Sequence, residues 1–314
     1  VPPETQTAAP QTFSNRITSI DALRGFVMFM MIFVNDLAGA PEYLVPDWMV
    51  HFSDRHKSGS GMTFVDLVFP AFLFIVGMSI PFALGKNMPT WKKILHIVTR
   101  TLALLLLGIM MVNGESGGKP LWVYSMFIFS IYAFSNISPP TKVPKFWKHF
   151  NFAIRGIGFA GIFWCALTFV RKKSHILTLY PLHINTSWYG ILGLIGWAYF
   201  AAAILFVIFK TNRTALLASV ALMTCFYAAA KKGFFDNFWP ARFVDFGGTL
   251  GSQEAITVAG LLLATILISP EMSVLKSKIK FTLLFIAGFS FAALLVNGLY
   301  GISKNNATPS WCFW

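Results

Sequence analysis

Apolar residues along this chain fall in long runs rather than in the narrow stripes of soluble helices, and the runs repeat from one end to the other. Most approach the ~20 residues that a helix needs to cross ~30 Å of hydrocarbon. They predict nine spans, at about 22–38, 64–84, 94–112, 120–136, 152–170, 188–209, 214–231, 254–268 and 280–299. The eighth is short, and polar residues interrupt the fourth. A membrane β-barrel would need apolar and polar residues to alternate in every segment, and that alternation is absent. The predicted fold is all-α, a polytopic transmembrane helix bundle over 21–314 behind a polar N-terminal tail at 1–20. The closing ATPSWCFW, with Pro309 and Trp311, reads as the interfacial start of another helix, so further C-terminal spans are expected beyond it.

Composition agrees. Hydrophobic residues make up 56% of the 314 positions and charged ones 12%, where soluble domains carry about a quarter. In a soluble protein the net charge of +13 would point to nucleic acid; its distribution here points to a bilayer and to no nucleic-acid partner. Glu42, Asp47, Asp54, Glu115, Asp236, Asp245 and Glu254 all fall on one predicted side. Lys and Arg divide twelve to ten, which places the N-terminus in the cytoplasm. Cys165, Cys225 and Cys312 have no motif spacing and read as small core residues. GILGLIG at 190–196, and Gly158 with Gly161, place small residues on one helix face and predict close helix packing, with a homodimer as a further use of such seams.

The candidate chemistry gathers at one membrane face. Asp66 lies a turn inside the second span, where a carboxylate costs ~2.5–3.5 kcal/mol unless it is paired or wet, so a partner within the bundle is expected. Asn35 closes the first span on the same side. His56 lies in the loop between them, within HFSDRHKSGSG; an ordinary solvated histidine is its plain alternative. An imidazole can take the proton of an attacking amine or hydroxyl, or carry an acyl group. An amide NH₂ can stabilise the oxyanion, and a carboxylate can orient the ring. Metal hydrolysis fits less well, because His51 and His56 flank Asp54 without a third ligand at recognisable spacing. On the other face, Asp21 and Arg24 are three apart and read equally as a helix-capping ion pair. Arg100, four residues after His96, lies about two turns inside the third span and either snorkels or binds an anion.

The stretches SIDALRGFVMFMMIFVN, HKSGSGMTFVDLVFPAFLFIVGMSI and RTLALLLLGIMMVN resemble the transmembrane acyltransferase family typified by heparan-alpha-glucosaminide N-acetyltransferase, and the rest of the chain looks like a bacterial branch of it. The resemblance implies a catalytic histidine at His56, a supporting asparagine at Asn35, and family positions at Asp66 and Arg100. It also implies acetyl-CoA as co-substrate, bound from the cytoplasm, with no metal. Arg24, Arg100, Lys86, Lys92 and Lys93 are then candidates for holding the donor's phosphates. LWVYSMFIFSIYAF, in the fourth span, departs from the family pattern. The expected function is transfer of an acetyl group to an amine or hydroxyl of an extracytoplasmic glycan or amino sugar, in a bacterial inner membrane. The alternatives are a secondary transporter of a sugar or organic anion, for which no internal repeat is found, and a catalytically silent member of the family.

Overall fold

The computed structural model describes residues 18–37, 39–55, 59–85, 88–115, 117, 119–135, 145–171, 174–179, 182–186, 188–269 and 274–314. Each of the nine predicted spans is a helix. In chain order the helices are α1 Thr18–Leu37, the short α2 Phe52–Arg55, α3 Phe64–Ala83, α4 Thr90–Glu115, α5 Pro120–Phe134 and α6 Lys145–Thr168. They continue as α7 Gly190–Phe209, α8 Arg213–Lys231, α9 Glu254–Leu267, α10 Leu275–Tyr300 and the short α11 Pro309–Phe313. Among the described residues, seven stretches are long and apolar enough to cross a membrane: α3, α4, His149–Thr168, α7, α8, Gly248–Leu267 and α10. The 15-residue α5 would reach only about 22 Å at ~1.5 Å per residue, and α1, which carries Asp21, Arg24 and Asp36, is also outside that set.

Two differences from the sequence reading concern boundaries. The eighth span is extended by a π-helical turn, Gly248–Gln253, that runs directly into α9. Asp245 organises the entry, its two carboxylate oxygens accepting the backbone N–H groups of Gly247 at 2.8 Å and Gly248 at 2.9 Å. The connection from α6 to α7 holds two short antiparallel hairpins, Val170–Arg171 with Ser174–His175 and Leu177–Leu179 with Leu182–Ile184. Neither was legible, because strands of two or three residues leave no periodicity to read.

The chain divides into two compact units, one formed by residues up to Lys93 and from Ala201 onward, the other by Ile94–Phe200. In the first unit α9 is the central helix, and every residue from Glu254 to Thr265 is buried. α3 packs on it with backbones in direct contact: a Cβ at Gly77 would overlap the carbonyl of Thr257, and one at Gly260 the carbonyl of Phe74. α1 lies on α3 through Val27 and Val34 against Val65, Val68 and Ile75. Asn212 caps α8 by accepting the N–H of Ala215 at 3.1 Å, as an N-cap asparagine does.

The second unit is built around α5 and α6. Gly158 faces the backbone of Ala133, Gly161 faces the ring of Phe129, and the Trp122 indole donates to the Cys165 carbonyl at 3.0 Å. In the same unit Gly108 meets the backbone of Tyr189 and Gly193. The glycines expected to form packing seams at 158, 161 and 193 therefore do so: Gly158 and Gly193 let two backbones touch, and Gly161 makes room for the Phe129 ring.

Candidate functional site

Asp66 is the third residue of α3 and is 2% exposed. Thr63 is the N-cap, and one Asp66 carboxylate oxygen accepts the Thr63 backbone N–H at 3.1 Å, the backward half of a capping box. The same oxygen accepts the Phe52 N–H at 3.1 Å and the Thr63 hydroxyl at 3.2 Å. The Thr63 hydroxyl also lies 2.7 Å from the Val50 carbonyl. The paired carboxylate that the sequence demanded is therefore present, and two of its partners are backbone N–H groups of the segment leading into the helix.

The other oxygen of Asp66 lies 2.7 Å from Nδ1 of His51. An ionised carboxylate only accepts, so Nδ1 donates and the lone pair of a neutral ring resides on Nε2. Lys304 brings its ammonium to 3.0 Å from Nδ1, 3.1 Å from Nε2 and 3.8 Å from the Asp66 oxygen. With Nδ1 committed to Asp66, the nitrogen left to receive a proton from Lys304 is Nε2. The result is a cluster of carboxylate, imidazole and ammonium at the mouth of α3, with the ammonium close to both ring nitrogens and to the carboxylate.

The segment after α10 builds the opposite wall. Gly301 turns the chain with φ of 66°, a conformation that glycine adopts at no steric cost. The Ile302 N–H then donates to the Ser60 hydroxyl at 2.5 Å, and the Gly61 N–H to the Ile302 carbonyl at 3.0 Å. These contacts enclose a recess of about 260 Å³ lined by Phe52, Ser53, Gly59, Gly61, Asp66 and residues 302–306. α11 follows, with Trp311 1% exposed. Pro309 and Trp311 lie at the start of a helix, as expected, and both are buried.

His56 and Lys86 lie outside the described residues. Asn35 is exposed in the last turn of α1, next to the buried Val34. Arg24 is exposed and paired with Asp21 at 2.7 Å, the ion pair named as its alternative. Lys92 is exposed, with its ammonium 5.4 Å from the centre of the Trp91 ring, and Lys93 is half-buried. Arg100 belongs to the second unit and stacks over Tyr199 with its guanidinium 4.8 Å from the ring centre. No motif in the sequence assigns His51 or Lys304 to this site: His51 stands out only as a metal-ligand candidate, and Lys304 is 253 positions away from it, beyond any local pattern.

Comparison with known proteins finds similarity over part of the chain. The chain is 33% identical over 115 residues to the heparan-alpha-glucosaminide N-acetyltransferase of Mus musculus, covering 35% of this chain and 15% of the mouse protein. It is 33% identical over 102 residues to the enzyme of the same name from Homo sapiens, covering 31% of this chain and 14% of the human protein. The matched part therefore spans less than a sixth of either relative. Over that part the chain is similar to proteins named as N-acetyltransferases. Residues 16–233, more than half of the chain, match the family model described as Domain of unknown function (DUF5009), and the chain belongs to that family.

Proposed function

We propose that this protein is a membrane-embedded acyltransferase that moves an acetyl group from cytoplasmic acetyl-CoA to an amine or hydroxyl of an extracytoplasmic sugar. The observation that carries this reading is the 2.7 Å contact between Asp66 and His51 at a recess on the mouth of α3, in a chain similar over part of its length to proteins named as N-acetyltransferases. Asp66 orients a ring whose Nε2 takes the proton of the acceptor when the acceptor displaces the Lys304 ammonium from it. The acceptor nitrogen or oxygen bonds to the thioester carbonyl carbon, the C–S bond breaks, and coenzyme A leaves with a proton returned from the imidazolium. Asn35 donates to the developing oxyanion. His56, five residues beyond His51 in sequence, serves as base or transient acyl carrier. Arg24, Arg100, Lys86, Lys92 and Lys93 hold the donor's phosphates. The orientation has the N-terminus inside, in the inner membrane of a bacterium.

The test uses purified full-length protein in lipid nanodiscs, with radiolabelled acetyl-CoA and glucosamine-terminated sugars, scoring free coenzyme A and acetylated sugar. Asp66→Asn is expected to lower turnover by roughly 10²–10⁴, the range of a lost acid–base contribution, and His51→Gln and His56→Gln identify which ring carries it. Wild type that neither binds nor consumes the donor overturns the reading.

A further inference from the structure

The central helix of the first unit carries a carboxyl that the site at the mouth does not use. Glu254 opens α9 inside the candidate span Gly248–Leu267 and is 1% exposed. Among the described residues no hydrogen-bond partner meets its Oε1, nor Oε1 of Gln253, nor the hydroxyl of Thr257. These two neighbours are also buried, at 9% and 0% exposure. Native interiors leave few such atoms unmatched, and each calls for a ligand or a role.

Around the helix axis Thr257 lies between Gln253 and Glu254. Gln253 has helical dihedrals, φ −68° and ψ −36°, so the helical rotation runs through the junction. At ~100° per residue, Gln253, Thr257 and Glu254 project at about 0°, 40° and 100° around the axis. Residues three and four apart on a helix bring their Cβ atoms within about 5–6 Å.

Thr257, with Thr101 and Ser252, differs from other hydroxyls in the spans. Ser79, Ser219 and Thr224 bond to the carbonyl four residues back at 2.8–3.0 Å, and Thr265 to the carbonyl three back at 2.7 Å. The Thr257 hydroxyl makes no such bond. The turn that leads into α9 is π-helical, a rare form found frequently at functional sites.

The chemistry of the set selects the ligand. All three atoms are oxygens with lone pairs, so they call for an electropositive partner, and hard oxygen donors suit hard cations. One carboxylate and two neutral dipoles are balanced by a single positive charge. A divalent ion would leave net charge in a water-poor interior, which is costly. We infer that Gln253, Glu254 and Thr257 form a sodium site inside the first unit, tying the π-helical turn to the first turn of α9.

The experiment melts purified full-length protein in nanodiscs in sodium chloride and in choline chloride at equal ionic strength, and measures retention of radioactive sodium. The expected result is a saturable rise in Tm with sodium, together with retained label. Glu254→Gln, which keeps shape and removes charge, abolishes both. Thr257→Val, nearly isosteric and with Glu254 intact, raises the sodium concentration needed for half of the effect. Equal melting in the two salts with no retained label by wild type overturns the site. So does retention that Glu254→Gln and Thr257→Val leave unchanged.

Discussion

The indole of Trp311 donates to the backbone carbonyl of Asp66 at 3.2 Å, across 245 positions of sequence. That carbonyl is available because residue 70 is proline: Pro70 has no N–H to return four residues back along α3, and a proline inside a helix leaves just this acceptor unpaired. The substitution of one donor by another ties α11 to the residue that holds His51.

Trp311→Phe keeps the ring in a fully buried position and removes the donor. The expected loss is about 1–3 kcal/mol, the cost of an orphaned buried acceptor, seen as a lower unfolding midpoint in detergent. Pro70→Ala restores the amide. The double variant Pro70→Ala/Trp311→Phe should therefore lose less than the sum of the two single changes, a coupling that a double-mutant cycle measures.

Packing between α3 and α9 gives an internal comparison among glycines. Gly77→Ala and Gly260→Ala place a Cβ against a carbonyl of the facing helix and are expected to cost at least the ~1–3 kcal/mol typical of overpacking. Gly288, within α10, has nothing within 4 Å of an added Cβ. Gly288→Ala should be neutral or stabilising by about 0.5–1 kcal/mol, since alanine suits a helix interior better. Thermal melts of the three variants side by side check the difference.

Arg24 separates an anchoring role from a donor-binding one. Its pair with Asp21 is 47% and 37% exposed, so Arg24→Ala is expected to change stability by no more than about 1 kcal/mol. If the guanidinium holds a donor phosphate, the same variant raises KM for acetyl-CoA while leaving the melt in place, and steady-state kinetics read the two apart.

Cys312, in α11 outside the spans, is buried, and burial pushes its thiol well above the ordinary 9.0. An unfolded chain releases that proton first. The contribution of Cys312 to stability is therefore complete below about pH 9 and declines as pH rises beyond it. Cys312→Ser variants should show a weaker decline between pH 8 and about pH 10. Alkylation of Cys312 at pH 8, followed by mass spectrometry, is expected only after unfolding.

Much of this molecule is local in origin. Thr63 and Asp66 stand at the N-cap and N3 positions that a helix start requires, and Asp66 was expected to find a partner from its depth alone. Close helix packing was expected at the glycines of 190–196 and at Gly158 with Gly161, because small residues at helical spacing within a membrane run have few other uses. The π-helical turn at Gly248–Gln253 was not legible: its glycines, serine and glutamine read as loop, and burial under α8 and α9 overrode that preference.

By itself the sequence determined the class of fold and the positions of the helices, because the cost of placing backbone and side chains in hydrocarbon is set residue by residue. It also determined that one face of the bundle carries an acid needing company. Only the tertiary structure decided what that company is. His51 is 15 positions from Asp66, Lys304 is 253 from His51, and Trp311 is 245 from Asp66. Such meetings depend on which helix backbones touch, through Gly77 and Gly260, and on how a proline-freed carbonyl is satisfied. Both are properties of packed helices in three dimensions, and no spacing along the chain encodes them.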